Sequence, residues 1–196
     1  MAHVIAVAGK GGVGKTTLSG MLIQSLCKMG KSPILAVDAD ANSNLNEVLG
    51  VEVDMTLGDI REEVAQAENS LKNPIPASMS KADYMEIMFQ RCLIEDDDFD
   101  LLVMGRTQGK GCYCFVNGLL QSQLQKLIPN YKYMLVDNEA GMEHISRGVL
   151  PKVDTIILVS DCSRRGVQAA GRIAELTREC NMNPKTIGLI VNRAPE

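Results

Sequence analysis

The sequence predicts an α/β fold of three layers, with a central, mostly parallel sheet and helices on both faces. Three observations carry this expectation. Short runs of Val, Ile and Leu recur without the polar alternation of a half-exposed strand, as strands covered on both faces require. Helical patterns separate these runs, and strand–helix alternation implies parallel pairing through right-handed crossovers. The chain has 196 residues, 45% of them hydrophobic, which suits one domain with a sizeable core.

In chain order, the opening MAHVIAVAG places an apolar run at residues 4–8. No basic segment followed by a long apolar stretch accompanies it, so it reads as a first strand and not as a signal peptide. A helical pattern covers 15–29, a second strand 34–37, and further helical patterns 57–71 and 81–92. Asn73-Pro74-Ile75-Pro76 reads as the loop between the last two. The acidic run Glu95-Asp96-Asp97-Asp98 lacks the spacing of a calcium loop and reads as a solvated turn before a strand at 101–104. A helix over 116–127, strands at 134–136 and 155–159, a helix over 165–180 and a strand at 187–191 complete the alternation. With no internal repeat and no linker, residues 1–196 are expected to form one domain. Ligands of such sheets bind beyond the carboxyl ends of the strands.

A net charge of −4 argues against a nucleic-acid binder, and no stretch approaches the roughly 20 apolar residues that span a bilayer. The cytoplasm is the expected compartment. There the six cysteines are thiols or metal ligands before they are disulfides. Cys27, Cys92 and Cys180 lie in helical patterns beside apolar neighbours and are expected as small buried hydrophobes. Cys162, at a strand end, is expected to pack too, and His3 to be structural.

Gly9-Lys10-Gly11-Gly12-Val13-Gly14-Lys15-Thr16-Thr17 matches GxxxxGK[ST] between a strand and a helix, the context this phosphate-binding motif needs. Its glycines let backbone N–H groups point at phosphate oxygens, and the helix N-terminus adds partial positive charge. Lys15 is expected at the β- and γ-phosphates and the Thr16 hydroxyl on Mg²⁺. The alternative is a glycine turn with no ligand. Further on, the apolar Tyr133-Met134-Leu135-Val136 ends at Asp137, the Walker B pattern of an acid held near Mg²⁺. In the following Asn138-Glu139-Ala140-Gly141-Met142-Glu143-His144, Glu139 and Gly141 are second-switch candidates. The Gly141 N–H is suited to sense the γ-phosphate. His144 is a ligand, a shuttle or an interface residue.

With Lys10 in place, the loop resembles the deviant Walker A group of P-loop ATPases, which includes the MinD- and ParA-type division-site and partition ATPases, nitrogenase iron protein and metallocentre-insertion ATPases. The resemblance spans nearly the whole chain and implies ATP hydrolysis to ADP and phosphate with Mg²⁺. It implies that Lys10 crosses a homodimer interface to the partner's nucleotide, as an arginine finger does; a solvated loop lysine is the alternative. It also implies that Asp38 lies near the Mg²⁺ shell and that Asp40 positions or activates the attacking water. Turn or cap roles are the alternatives there, more so for Asn42 and Asn44. Asn192 would read the adenine edge, with Arg193 beside it. Relatives continue past the point corresponding to Glu196 through another strand and helix that complete the base pocket, so either this chain is truncated or the pocket is open on that side.

Cys112-Tyr113-Cys114 lies in a glycine-rich loop. One such pair rarely closes a four-coordinate site, but two copies across a twofold axis supply four thiolates, suited to Ni²⁺, Zn²⁺ or Cu⁺. A redox pair or two incidental thiols are the alternatives. The Lys10 loop, Cys112-Tyr113-Cys114 and Asn138–His144 together resemble the nickel-insertion ATPases of the CooC/AcsF type. The resemblance implies apo carbon monoxide dehydrogenase/acetyl-CoA synthase as partner, and neither nucleic acid nor membrane. Asn138 departs from the Thr common in such relatives. Two rivals stand beside this reading. One is an electron donor like nitrogenase iron protein, whose second switch carries a cysteine that residues 137–146 lack. The other is a partition or division-site ATPase, whose basic surface or C-terminal amphipathic helix this sequence does not show. A pure nucleotide switch is disfavoured by Asp40.

Overall fold

The computed structural model describes residues 2–42, 44–60, 62–63, 75–76, 78–105, 114–140, 152–180 and 182–195. Its elements are β1 (His3–Gly9), α1 (Lys15–Lys28), β2 (Ile34–Ala39), α2 (Leu45–Leu49), α3 (Lys81–Cys92), β3 (Leu93–Glu95), β4 (Phe99–Val103), α4 (Cys114–Leu127), β5 (Tyr133–Asn138), β6 (Thr155–Asp161), α5 (Arg164–Glu179) and β7 (Thr186–Asn192). The sheet runs β3-β4-β2-β5-β1-β6-β7. All neighbours pair in parallel except β3 with β4.

The apolar runs become strands because both faces of the sheet are covered, and period-two alternation sorts their side chains between the layers. Val4, Ala6 and Ala8 of β1 join Phe89 of α3, Leu124 of α4 and Ile173 of α5 in one core. Val7 of the same strand joins Ile23 of α1 and Leu45 of α2 in the other. Local signals set helix starts. Ser80 Oγ accepts from Asp83 N at 3.1 Å ahead of α3, and Ser163 Oγ accepts from Gly166 N at 3.0 Å ahead of α5. His3 is structural as expected, its Nε2 2.9 Å from Thr155 Oγ1.

Several expectations need correction. Glu95 is not in a turn. It ends the edge strand β3, and only Asp96–Asp98 turn the chain, with Asp96 N donating to Phe99 O at 3.0 Å. The five-residue α2 was not expected; it is one turn long, with an Asn and a Glu in its short span. β7 is not covered on both faces: Ile187, Leu189 and Val191 are 40%, 51% and 42% exposed. Cys92 is buried and burial pushes its thiol up to about 12, but Cys27 is half-buried and Cys162 and Cys180 are exposed. Cys180 caps the end of α5. The pattern over 57–71 lies largely outside the described residues, although 57–60 and 62–63 are helical.

Candidate nucleotide site

Three parallel strands deliver the site. β1 runs into the phosphate loop, β2 ends next to Asp40 and β5 ends at Asp137 and Asn138. Gly9 is registered against Val159, and a Cβ on it would lie 2.2 Å from the Val159 carbonyl oxygen, so only glycine lets β1 approach β6 here. Gly14 caps α1 at φ 93°, a left-handed conformation that a side chain resists. Lys15 then begins α1. It is buried, and its Nζ donates to the Lys10 carbonyl at 3.4 Å. The Lys10 side chain is exposed, and its charge lies within electrostatic reach of Asp161.

Asp38 and Asp137 sit opposite each other in the β2–β5 register, both buried. The Asp38 oxygens accept from the backbone N–H of Asp40 and of Leu45, each at 3.0 Å. Burial nevertheless raises its pKa to about 6, with the negative charges of Asp137 and Asp40 adding to it. Asp137 Oδ1 accepts from Ser19 Oγ at 3.0 Å. Burial raises the Asp137 pKa too, against the pull of the Thr16 and Ser19 hydroxyls and of Lys15. Burial outweighs these hydrogen bonds and the Lys15 charge, so both carboxylates stay above their usual range. A hard divalent cation with oxygen ligands fits this pair, with Thr16, Asp38 and Asp137 as the residues to hold it.

In front of these acids opens a cavity of about 410 Å³, in the size range of small-molecule sites. Gly11, Gly12, Gly14, Lys15, Thr16 and Thr17 form one wall, and Asp40, Asn42, Asn44, Glu139, Ala140 and Arg193 the others. Asp40 Oδ1 accepts from Asn42 N at 2.8 Å, which shapes the loop after β2. Arg193 reaches the cavity from the end of β7 with a left-handed φ of 55°. Asn192, expected at the adenine edge, donates through Nδ2 to the Val13 carbonyl at 2.9 Å and accepts from Arg193 N at 2.9 Å.

The structure thus brings together the phosphate loop, Asp38, Asp40, Asp137, Glu139, Asn192 and Arg193. Lys10 is outside the cavity lining. Gly141, Met142, Glu143, His144 and Cys112 lie outside the described residues. Cys114 opens α4, two residues earlier than the helical pattern suggests. Among the described residues no cluster of three or more His, Cys, Asp or Glu could hold a metal ion. Nor is any helix among them long and apolar enough to cross a membrane.

Two site residues escaped the sequence reading. Ser19 lies one helical turn after Lys15, on the face that meets β5, so i, i+4 spacing from the loop lysine was the available signal. Asn138 was noted only as a departure from Thr. Its Nδ2 donates to the carbonyls of Val7 at 3.0 Å and Val136 at 3.3 Å, while its buried Oδ1 has no hydrogen-bond partner among the described residues.

Residues 2–186 match the family model described as AAA domain. An uncharacterized ATP-binding protein of Methanocaldococcus jannaschii is 46% identical over 97% of this chain and 74% of its own length. The carbon monoxide dehydrogenase accessory protein CooC of Rhodospirillum rubrum is 32% identical over 98% of this chain and 80% of its own. Among solved structures, the MinD cell division protein of Aquifex aeolicus superposes with a TM-score of 0.65 at 25% identity, covering 99% of this chain and 70% of that one. A ParA family ATPase of Chlorobium tepidum gives 0.68 at 20% identity, over 100% and 75%. Phosphate loop, sheet order and relatives agree: the chain belongs to the AAA-domain family of P-loop ATPases of the MinD/ParA type, with CooC among its homologues.

Proposed function

We propose that the chain binds ATP with Mg²⁺ beyond the carboxyl ends of β1, β2 and β5, hydrolyses it as a homodimer, and uses the cycle to deliver nickel to apo carbon monoxide dehydrogenase/acetyl-CoA synthase. The observation that carries the ATPase part is the convergence of Lys15, Asp40 and Glu139 on one cavity backed by two buried carboxylates. The client rests on the relationship to CooC and on Cys112-Tyr113-Cys114.

Each residue then has a task. Backbone N–H groups of Gly11, Gly12 and Gly14 and the Lys15 ammonium bind the phosphate oxygens, and the N-terminus of α1 favours their charge. Bound through Thr16, Asp38 and Asp137, Mg²⁺ would neutralise phosphate charge and balance the two acids. Asp40 orients the attacking water, whose oxygen bonds to the γ-phosphorus. The bond to the bridging oxygen breaks, ADP leaves with the electron pair, and the water's proton passes out by way of the Asp40 carboxylate. Gly141 reports the γ-phosphate to the second switch, which Glu139 begins. Lys10 of each protomer reaches the partner's phosphates, so turnover waits for closure. Closure brings Cys112 and Cys114 of both copies together as four thiolates around the cargo ion, and opening lowers their affinity for it. Zn²⁺ competes for the same sulfur donors.

Molecular mass and metal content, measured together with and without a non-hydrolysable ATP analogue, test this reading. The mass is expected to double with the analogue, with about one nickel per dimer. Cys112→Ser is expected to lower that stoichiometry without changing the circular dichroism spectrum. A lone subunit under all conditions, or unchanged nickel binding in equilibrium dialysis, overturns the metallochaperone. Bound iron and a brown colour would instead mark an electron donor. Binding to DNA or vesicles without metal would mark a partition or division-site ATPase, for which α5 offers exposed Arg164, Arg165, Arg172 and Arg178 interleaved with Glu175 and Glu179.

A further inference from the structure

Asn192 closes β7, the edge strand, opposite Asp161 in the β6–β7 register. The sheet order puts β6 between β7 and β1, so Asn192 ends one strand beyond the neighbour of the strand that feeds the phosphate loop. From there its side chain reaches across to the loop itself. Nδ2 donates to the Val13 carbonyl at 2.9 Å, a contact between residues 179 positions apart. The contact is tight. A Cβ on Gly14 would lie 2.5 Å from that same nitrogen, so the amide fills the space a side chain at position 14 would need. Gly14 therefore answers to two demands, its φ of 93° and the Asn192 amide packed against it. The other end of the amide is engaged as well: Oδ1 accepts from Arg193 N at 2.9 Å and holds that residue at a φ of 55°, from which Arg193 lines the cavity.

A residue that only read a base would face the ligand with its donor and acceptor. Here one donor and one acceptor are spent on backbone on either side of the phosphate cavity. We propose that Asn192 is a positioning residue for the phosphate loop. Its amide fixes the Val13 carbonyl and the left-handed Gly14 that follows, so the N–H groups of the loop are aimed before the phosphates arrive. Preorganised donors of this kind hold anions better than donors that must be ordered on binding. The inference rests on the nucleotide reading above and deepens it. It predicts that Asn192 matters to a phosphate chain carrying no base at all.

The experiment titrates the 196-residue chain with Mg²⁺–ATP and, separately, with Mg²⁺–tripolyphosphate by calorimetry. Asn192→Ala is expected to weaken both ligands by a similar factor of about tenfold, the size of one lost hydrogen bond to backbone. Asn192→Leu keeps the size of the side chain without adding charge and loses the donor to the Val13 carbonyl. It is expected to weaken tripolyphosphate by a similar factor, and it serves as the readout where the alanine variant's melting midpoint falls. Tripolyphosphate affinity unchanged in Asn192→Leu, with only ATP weakened, overturns the positioning role and leaves Asn192 a base reader. Wild-type chain that binds neither ligand overturns the nucleotide reading, and this inference with it.

Discussion

The two ends of the nucleotide cavity are built in opposite ways. At the phosphate end the strands β2, β5 and β1 lie side by side in the middle of the sheet. Their carboxyl ends hold Asp38 and Asp137 at 0% and 1% exposure, tied to backbone N–H groups and helix hydroxyls. At the other end Asn192 and Arg193 hang from β7, an edge strand whose alternate residues Ile187, Leu189 and Val191 face outward. The contrast follows from what each end must do. Charge placed for phosphoryl transfer has to be fixed before the reaction and shielded from water, which takes a covered strand on each side. An edge strand with exposed alternate residues makes a softer wall, where local opening costs least. The single Asn192–Val13 hydrogen bond spans the two regimes.

Lys10 gives the contrast its largest test, because it belongs to neither wall. It is exposed and outside the cavity lining, and its charge adds a little to the Ser163 hydrogen bonds that hold the Asp161 carboxyl below its usual range. A lysine that acts on the partner's phosphates contributes nothing to ATP binding by a single chain and much to turnover. Lys10→Ala is expected to leave ATP affinity within about twofold and to reduce phosphate release by about a thousandfold, the scale of a finger residue. Wild-type turnover in the variant would sink the trans role and make Lys10 a solvated loop lysine.

Stability gives the next test. Met134, fully buried on β5, touches the core under the phosphate end, whereas Leu189 on β7 is half exposed. Met134→Ala is expected to cost about 2–5 kcal/mol, lost contacts plus the cavity left behind. Leu189→Ala is expected to cost under about 1 kcal/mol, the range of surface changes. Urea midpoints at equal m-value read both. Similar losses at the two positions would mean that the edge is as tightly packed as the centre, and the contrast would fail.

The same contrast explains how much of the molecule was readable. Apolar runs announce strands whether both faces are covered, as at the centre, or only one, as at β7, so β1, β2, β4, β5, β6 and β7 were visible within a residue or two of their observed bounds. β3 was not: three residues at an antiparallel edge, ending in Glu95, carry no periodicity to detect. α2 is too short for a helical pattern and owes its existence to Asp38, which accepts from Leu45 N at its first residue. The phosphate loop was legible because a local motif specifies a local structure. The Asn192 bond to Val13 was not, because no pattern in sequence links residues so far apart. The exposure of Cys180 was missed for a related reason: apolar neighbours in sequence do not say which side of a helix end meets solvent, and a strand-end position did not place Cys162 in the core either.

The smallest expected effect isolates what burying the acids costs. Burial raises Asp38 from 3.8 to about 6 in the folded chain. Between those values the folded chain keeps a proton that the unfolded chain has released, so the acid favours folding fully below about pH 4. That contribution is lost as the pH rises through 6. Above 6 the ligand-free chain carries a buried charge that costs at most about 3 kcal/mol. Asp38→Asn removes the charge but also one of the two acceptors that serve Asp40 N and Leu45 N, itself worth about 1–2 kcal/mol. The variant is therefore expected to be more stable than wild type by about 1 kcal/mol at pH 7.5, with the advantage shrinking to nothing or reversing by pH 4. With saturating Mg²⁺–ATP the order reverses, because the wild-type carboxylate then meets a cation and the amide does not. Thermal midpoints at the two pH values, with and without ligand, read all four states. An Asp38→Asn variant less stable than wild type at pH 7.5 without ligand would mean that the carboxylate is already balanced inside the protein. The centre of the sheet would then be poised for structure and not for a cation.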